Sequence, residues 1–76
     1  MEKEIQNIFK EYLLSYEYDI SEDNTVIVHI IWGDWKHDHA YLDYVMRKNG
    51  FEPLFEKITE EDGSDCYSAD HTYIKK

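Results

Sequence analysis

The sequence predicts a small α+β domain of two layers. The expected element order is α-β-α-β-β, with a three-stranded mixed sheet (a split βαβ unit plus a hairpin) and both helices on one face. Three observations carry this. An amphipathic stretch opens the chain, a β-branched run follows a polar connection, and a capped second helix leads into two extended segments joined by an Asp-Gly turn. Seventy-six residues leave room for one core, so residues 1–76 form a single domain.

The first helix is expected from Glu2 to Tyr16. Ile5, Ile8, Phe9, Tyr12, Leu13 and Tyr16 recur at steps of three and four, which aligns them on one face. Glu17 to Asn24 reads as a polar connection with turn residues Ser21-Glu22-Asp23-Asn24. Thr25 to Trp32 is rich in valine and isoleucine on both alternating faces, as expected of a central strand, and Gly33 should end it. Asp34 then offers an N-cap, Asp38 suits the positive end of the helix dipole, and Arg47, Lys48 and Gly50 are stop signals. A helix from Trp35 to Asn49 follows. Its inner stripe is Trp35, His39, Leu42, Val45 and Met46.

Phe51 to Thr59 is the second expected strand. Pro53 has no N–H for a ladder and places it at a sheet edge. Asp62-Gly63 supplies a hairpin turn, and Cys66 to Ile74 is the third strand. The crossover from the first strand to the second should be right-handed, and the third strand is expected between the other two, as in a split βαβ unit. One sheet face then has no helix over it. It should carry apolar groups of the first strand and, in one of the two hairpin registers, Tyr67 and Tyr73. An apolar face left open marks a partner surface or a self-association surface.

Charge narrows the function classes. Seventeen acids against eight bases leave a net −9. Between Glu11 and Asp43 the only base is Lys36, and between Glu52 and Asp70 the only one is Lys57. Such a surface repels phosphate, so direct nucleic-acid binding and anionic membranes are not expected, whereas a basic protein partner is. Cys66 is the only cysteine, which excludes an internal disulfide and fits a reducing, cytoplasmic setting. The charged start shows no secretion signal, and no apolar run approaches the ~20 residues that span a bilayer.

Two sets of residues are candidates for a site. Glu56, Glu60, Glu61, Asp62, Asp65 and Asp70, with Tyr67 and Tyr73, would form an acidic, aromatic hairpin edge that meets a Lys/Arg groove. Asp34, His37 and Cys66, joined by Asp65 across the split unit, offer ligand types for zinc or another divalent metal, although their spacing matches no metal motif. His29, set among isoleucines, reads as a neutral core histidine or a partner contact. The three glycines have turn or cap explanations, which disfavours a nucleotide-binding enzyme, and no motif names a reaction. The leading reading is therefore a small acidic protein-binding module, in its sharpest form an inhibitor that imitates nucleic acid on a partner's basic surface. The alternatives are a homodimer closed through the open sheet face and a small metal-binding protein or enzyme.

Overall fold

A computed structural model describes residues 1–21 and 24–76. The elements run α1 (Glu2–Tyr12), β1 (Glu17–Ile20), β2 (Thr25–Asp34), α2 (Trp35–Lys48), β3 (Phe51–Glu61) and β4 (Cys66–Lys75). The α+β class stands, but the sheet has four strands, in the order β1-β2-β4-β3, and every neighbouring pair is antiparallel. The expected three-stranded mixed sheet is corrected on both counts. β4 does lie between β2 and β3, which are therefore parallel to each other without touching, as the split βαβ arrangement requires.

The additional strand is Glu17–Ile20, which pairs Tyr18 with Val28 and Ile20 with Val26. Its acids and short length resemble a connection, yet Tyr18 and Ile20 alternate with Glu17 and Asp19 as a strand should. Tyr18 lies against Phe9, with ring centroids 4.2 Å apart. The first helix also stops earlier than expected, at Tyr12, with Leu13 leaving helical geometry while staying fully buried. Tyr16 is thereby freed to turn its hydroxyl onto the Asp38 carboxylate. The expected turn at Ser21–Asn24 includes Glu22 and Asp23, which lie outside the described residues.

Gly33 does not end β2. The strand continues to Asp34 through an irregularity between Ile30 and Gly33, at which Trp32 takes a left-handed φ of 49°. A bulge of this kind removes one N–H from the ladder. The Trp32 N–H donates instead to Ser68 Oγ at 2.8 Å. The start of α2 behaves as its sequence says. Asp34 accepts from the Lys36 and His37 N–H groups, and Asp38 reaches back to accept from the Asp34 N–H. These bonds hold the Asp34 carboxyl below its usual range, the His37 N–H contributing most. At the far end Gly50 takes φ 88°, a conformation glycine adopts without steric cost.

Both helices cover one face. Ile5, Ile8 and Phe9 of α1, Leu13 just after it, and Leu42, Val45 and Met46 of α2 pack on Val26, Val28 and Ile30 of β2 and on Tyr67, Ala69 and Tyr73 of β4. Tyr67 and Tyr73 are 3% and 1% exposed, which corrects their expected place on the open face. The register decides this: Tyr73 stands opposite Val26 and Ala69 opposite Ile30, so the Tyr67-Ala69-His71-Tyr73 alternation points into the core. Of the other aromatics, Tyr12, Tyr41 and Tyr44 are exposed rather than packed, and the Tyr41 hydroxyl donates to the Tyr12 carbonyl at 2.8 Å.

Candidate functional site

The opposite sheet face has no helix over it. It is built from Ile27, His29 and Ile31 of β2, from Ser68, Asp70 and Thr72 of β4, and from the edge strands on either side. Ile31 and Phe55 are each 64% exposed there. Near Ile31 the sheet forms a shallow, open hollow whose acidic lining is Glu17, Asp19, Glu60 and Asp70.

His29 sits at the centre of this face. Its Nδ1 is 2.6 Å from Asp70 Oδ1 and its Nε2 is 2.7 Å from Asp19 Oδ2. Glu17 stands directly opposite it on β1, and Lys57 stands opposite Asp70 on β3. The hydrogen bonds to Asp70 and then Asp19 raise the imidazole above its ordinary value, because the protonated ring donates to a carboxylate from each nitrogen. The histidine is thus not a core residue: it bridges β1 and β4 from β2 through two carboxylates.

A pH dependence follows from this. A group whose folded value is raised stabilises fully below its unfolded value, ~6.5, and loses that contribution as pH rises through the folded value. His29→Gln is expected to be most destabilising at mildly acidic pH, and its deficit from wild type should shrink at alkaline pH. Urea unfolding of both proteins across that range checks it, and a deficit that grows with pH would contradict the assignment.

The expected acidic edge is divided by the sheet. Glu60 and Asp70 belong to the open face, and Asp62 and Asp65 lie at the hairpin tip, where Asp62 accepts from the Ser64 N–H and hydroxyl. Glu56 and Glu61 point the other way, opposite His71 and Tyr67 on the helix side. Tyr67 and Tyr73 are core, as described above, and give no contact surface.

The expected metal residues are also placed differently. Asp34 pairs with Cys66 in register, and the Trp35 N–H donates to the Asp65 carbonyl at 2.8 Å, so the backbone convergence is present. The side chains do not form a site: Asp34 is engaged as the helix cap, His37 is exposed, and Cys66 is an exposed free thiol. Among the described residues, the possible metal-ligand atoms that gather are those of His39, Glu56 and His71, which lie within 4.8 Å of one another. Glu56 Oε2 is 3.7 Å from His39 Nε2 and 3.5 Å from His71 Nδ1.

Each member has a clear origin. His39 is on the inner stripe of α2, Glu56 is at the β3 edge, and His71 faces it across the β3–β4 ladder. Trp35 stacks on the His39 ring at 4.8 Å and meets Tyr67 edge-on at 4.6 Å, forming an aromatic wall. The Tyr67 hydroxyl lies 3.2 Å from His71 Nε2. Burial pushes the His71 imidazole below its ordinary value, so the ring is neutral near pH 7. Sequence reasoning missed this trio because its members come from three elements far apart in the chain. The visible signal was limited to His39 on the inner stripe of α2.

No protein-family model, curated protein or solved structure matches the chain. No helix among the described residues is long and apolar enough to cross a membrane.

Proposed function

We propose that the protein is a small acidic binding module that docks a basic surface of a partner protein against its open sheet face. The observation that carries this reading is the combination of exposed Ile31 and Phe55 with the carboxylates of Glu17, Asp19, Glu60 and Asp70 on that one face. Apolar side chains supply contact area, and the acids select a cationic partner and speed its approach. The hairpin tip acids Asp62 and Asp65 extend the same charge. In its sharpest form the module is an inhibitor that takes the place of nucleic acid on its target in a cytoplasmic setting. The net −9 disfavours pairing this acidic face with a second copy of itself, so the homodimer is the lesser reading.

The test is affinity capture from native lysate with wild-type bait and with an Ile31→Ser, Glu60→Gln bait, each washed at low and at high salt. The expected result is a basic protein held by the wild type at low salt, released at high salt, and lost by the variant. Recovery that is indifferent to salt and to the variant would overturn the proposal. Recovery of the chain alone would replace the basic partner with a second copy.

A further inference from the structure

We propose that His39, Glu56 and His71 form a binding site for a divalent transition-metal ion, with zinc the best match to the ligand set. The site lies on the helix-covered side of the sheet, away from the docking face, and stands or falls independently of it. Two imidazoles and one carboxylate are borderline donors suited to zinc, nickel, cobalt or copper, whereas magnesium and calcium call for shells made of oxygen.

The distances carry the argument. Zinc binds nitrogen and oxygen donors at ~2.0–2.2 Å, so two ligands on one tetrahedral ion lie about 3.3 Å apart. Glu56 Oε2 lies 3.5 and 3.7 Å from the two histidine nitrogens, close to that spacing and long for hydrogen bonds. Three donors therefore gather in one place without bonding well to one another. The widest separation, within 4.8 Å, closes by a small movement of the half-exposed His39 ring.

The surroundings also fit. With Nδ1 on the metal, His71 Nε2 keeps its hydrogen and donates it to the Tyr67 hydroxyl oxygen 3.2 Å away. A partner on the far ring nitrogen is what fixes the tautomer and orientation of metal-bound histidines. Trp35, stacked on His39, holds the second ring. His71 is 4% exposed while Glu56 and His39 reach solvent. Three protein ligands with an accessible side leave a fourth position for water or a ligand from a partner, the pattern of an open rather than a closed zinc site. The ion would join α2, β3 and β4, and the folded chain would gain stability with the logarithm of free zinc once that exceeds the dissociation constant.

The test uses the full chain, purified without chelators, stripped, and titrated with Zn²⁺ by calorimetry and with Co²⁺ by visible absorption. The expected result is one ion per chain, a melting temperature that rises with zinc concentration, and cobalt bands of a four- or five-coordinate ion. His39→Gln and Glu56→Gln lie at the accessible side and should fold, as circular dichroism of the stripped proteins verifies. Each should weaken zinc binding ~10-fold or more, and Tyr67→Phe by ~10-fold through the orientation of His71. His37→Gln, in the same helix but outside the trio, should leave affinity unchanged. A wild-type chain that takes up neither ion, or affinity lost equally in His37→Gln, would overturn the assignment.

Discussion

Replacing Tyr73 with alanine is expected to leave the domain largely unfolded at room temperature. Its side chain is 1% exposed and stands between Val26 of β2 and Pro53 of β3, on the face both helices cover. Removing a buried aromatic costs ~3–5 kcal/mol, because the cavity left behind collapses only in part. The core of so short a chain supplies only about that much net stability. Tyr73→Phe separates packing from hydrogen bonding. It keeps the ring and removes only the hydroxyl that donates to Asp43 Oδ1 at 3.3 Å, a loss of ~1 kcal/mol. Urea unfolding followed by circular dichroism should therefore show a folded phenylalanine variant and an alanine variant without a cooperative transition. A stable alanine variant would mean that Tyr73 is on a surface after all.

The second large effect is expected at Gly33. A methyl group there would lie 2.5 Å from Ile30 Cγ2 and 2.7 Å from Asp38 Oδ2. Neither neighbour can easily move. Ile30 is buried in the core, and Asp38 holds both the Asp34 N–H at the start of α2 and the Tyr16 hydroxyl. Gly33→Ala should cost ~1–3 kcal/mol through overpacking, with part of the loss arising from the disturbed helix start. Gly63 is the control. It takes φ 85° at the hairpin tip with nothing within 4 Å of an added methyl, so Gly63→Ala costs only the left-handed backbone penalty of ~1 kcal/mol. Chemical denaturation of the two variants compares them, and equal losses would show that crowding at Gly33 is relieved by neighbouring movement.

The parts of the fold legible in the sequence are those set by local chemistry. The bounds of α2 followed from Asp34 and Gly50, and the edge position of β3 followed from Pro53, because caps and prolines act on backbone within a few residues of themselves. Glu17–Ile20 was missed because only four residues alternate there and two of them are acids. What makes it a strand is the exposed edge of β2, and that edge exists only once the chain has folded. The facing of Tyr67 and Tyr73 depends on the register of the β3–β4 hairpin, and a slip of one residue reverses every side chain. The composition did hold a clue: Tyr67, Ala69 and Tyr73 are the more apolar alternation, and Cys66, Ser68 and Asp70 the more polar one. The histidines show the same limit. His29, His39 and His71 draw their character from Asp19, Asp70 and Glu56, partners brought together only by the sheet.

The place of β4 bears on how the chain is made. It is the last of the six elements to be synthesised, and it pairs on both sides, with β2 and with β3. A ribosome adding ~5–20 residues per second completes β2 and α2 some seconds before β4 emerges. Through that interval the valine- and isoleucine-rich strand Thr25–Asp34 has one unpaired edge, the kind of template on which nascent chains aggregate. The sheet therefore closes late, so expression yield should depend more on chaperone supply than the small size of the domain suggests.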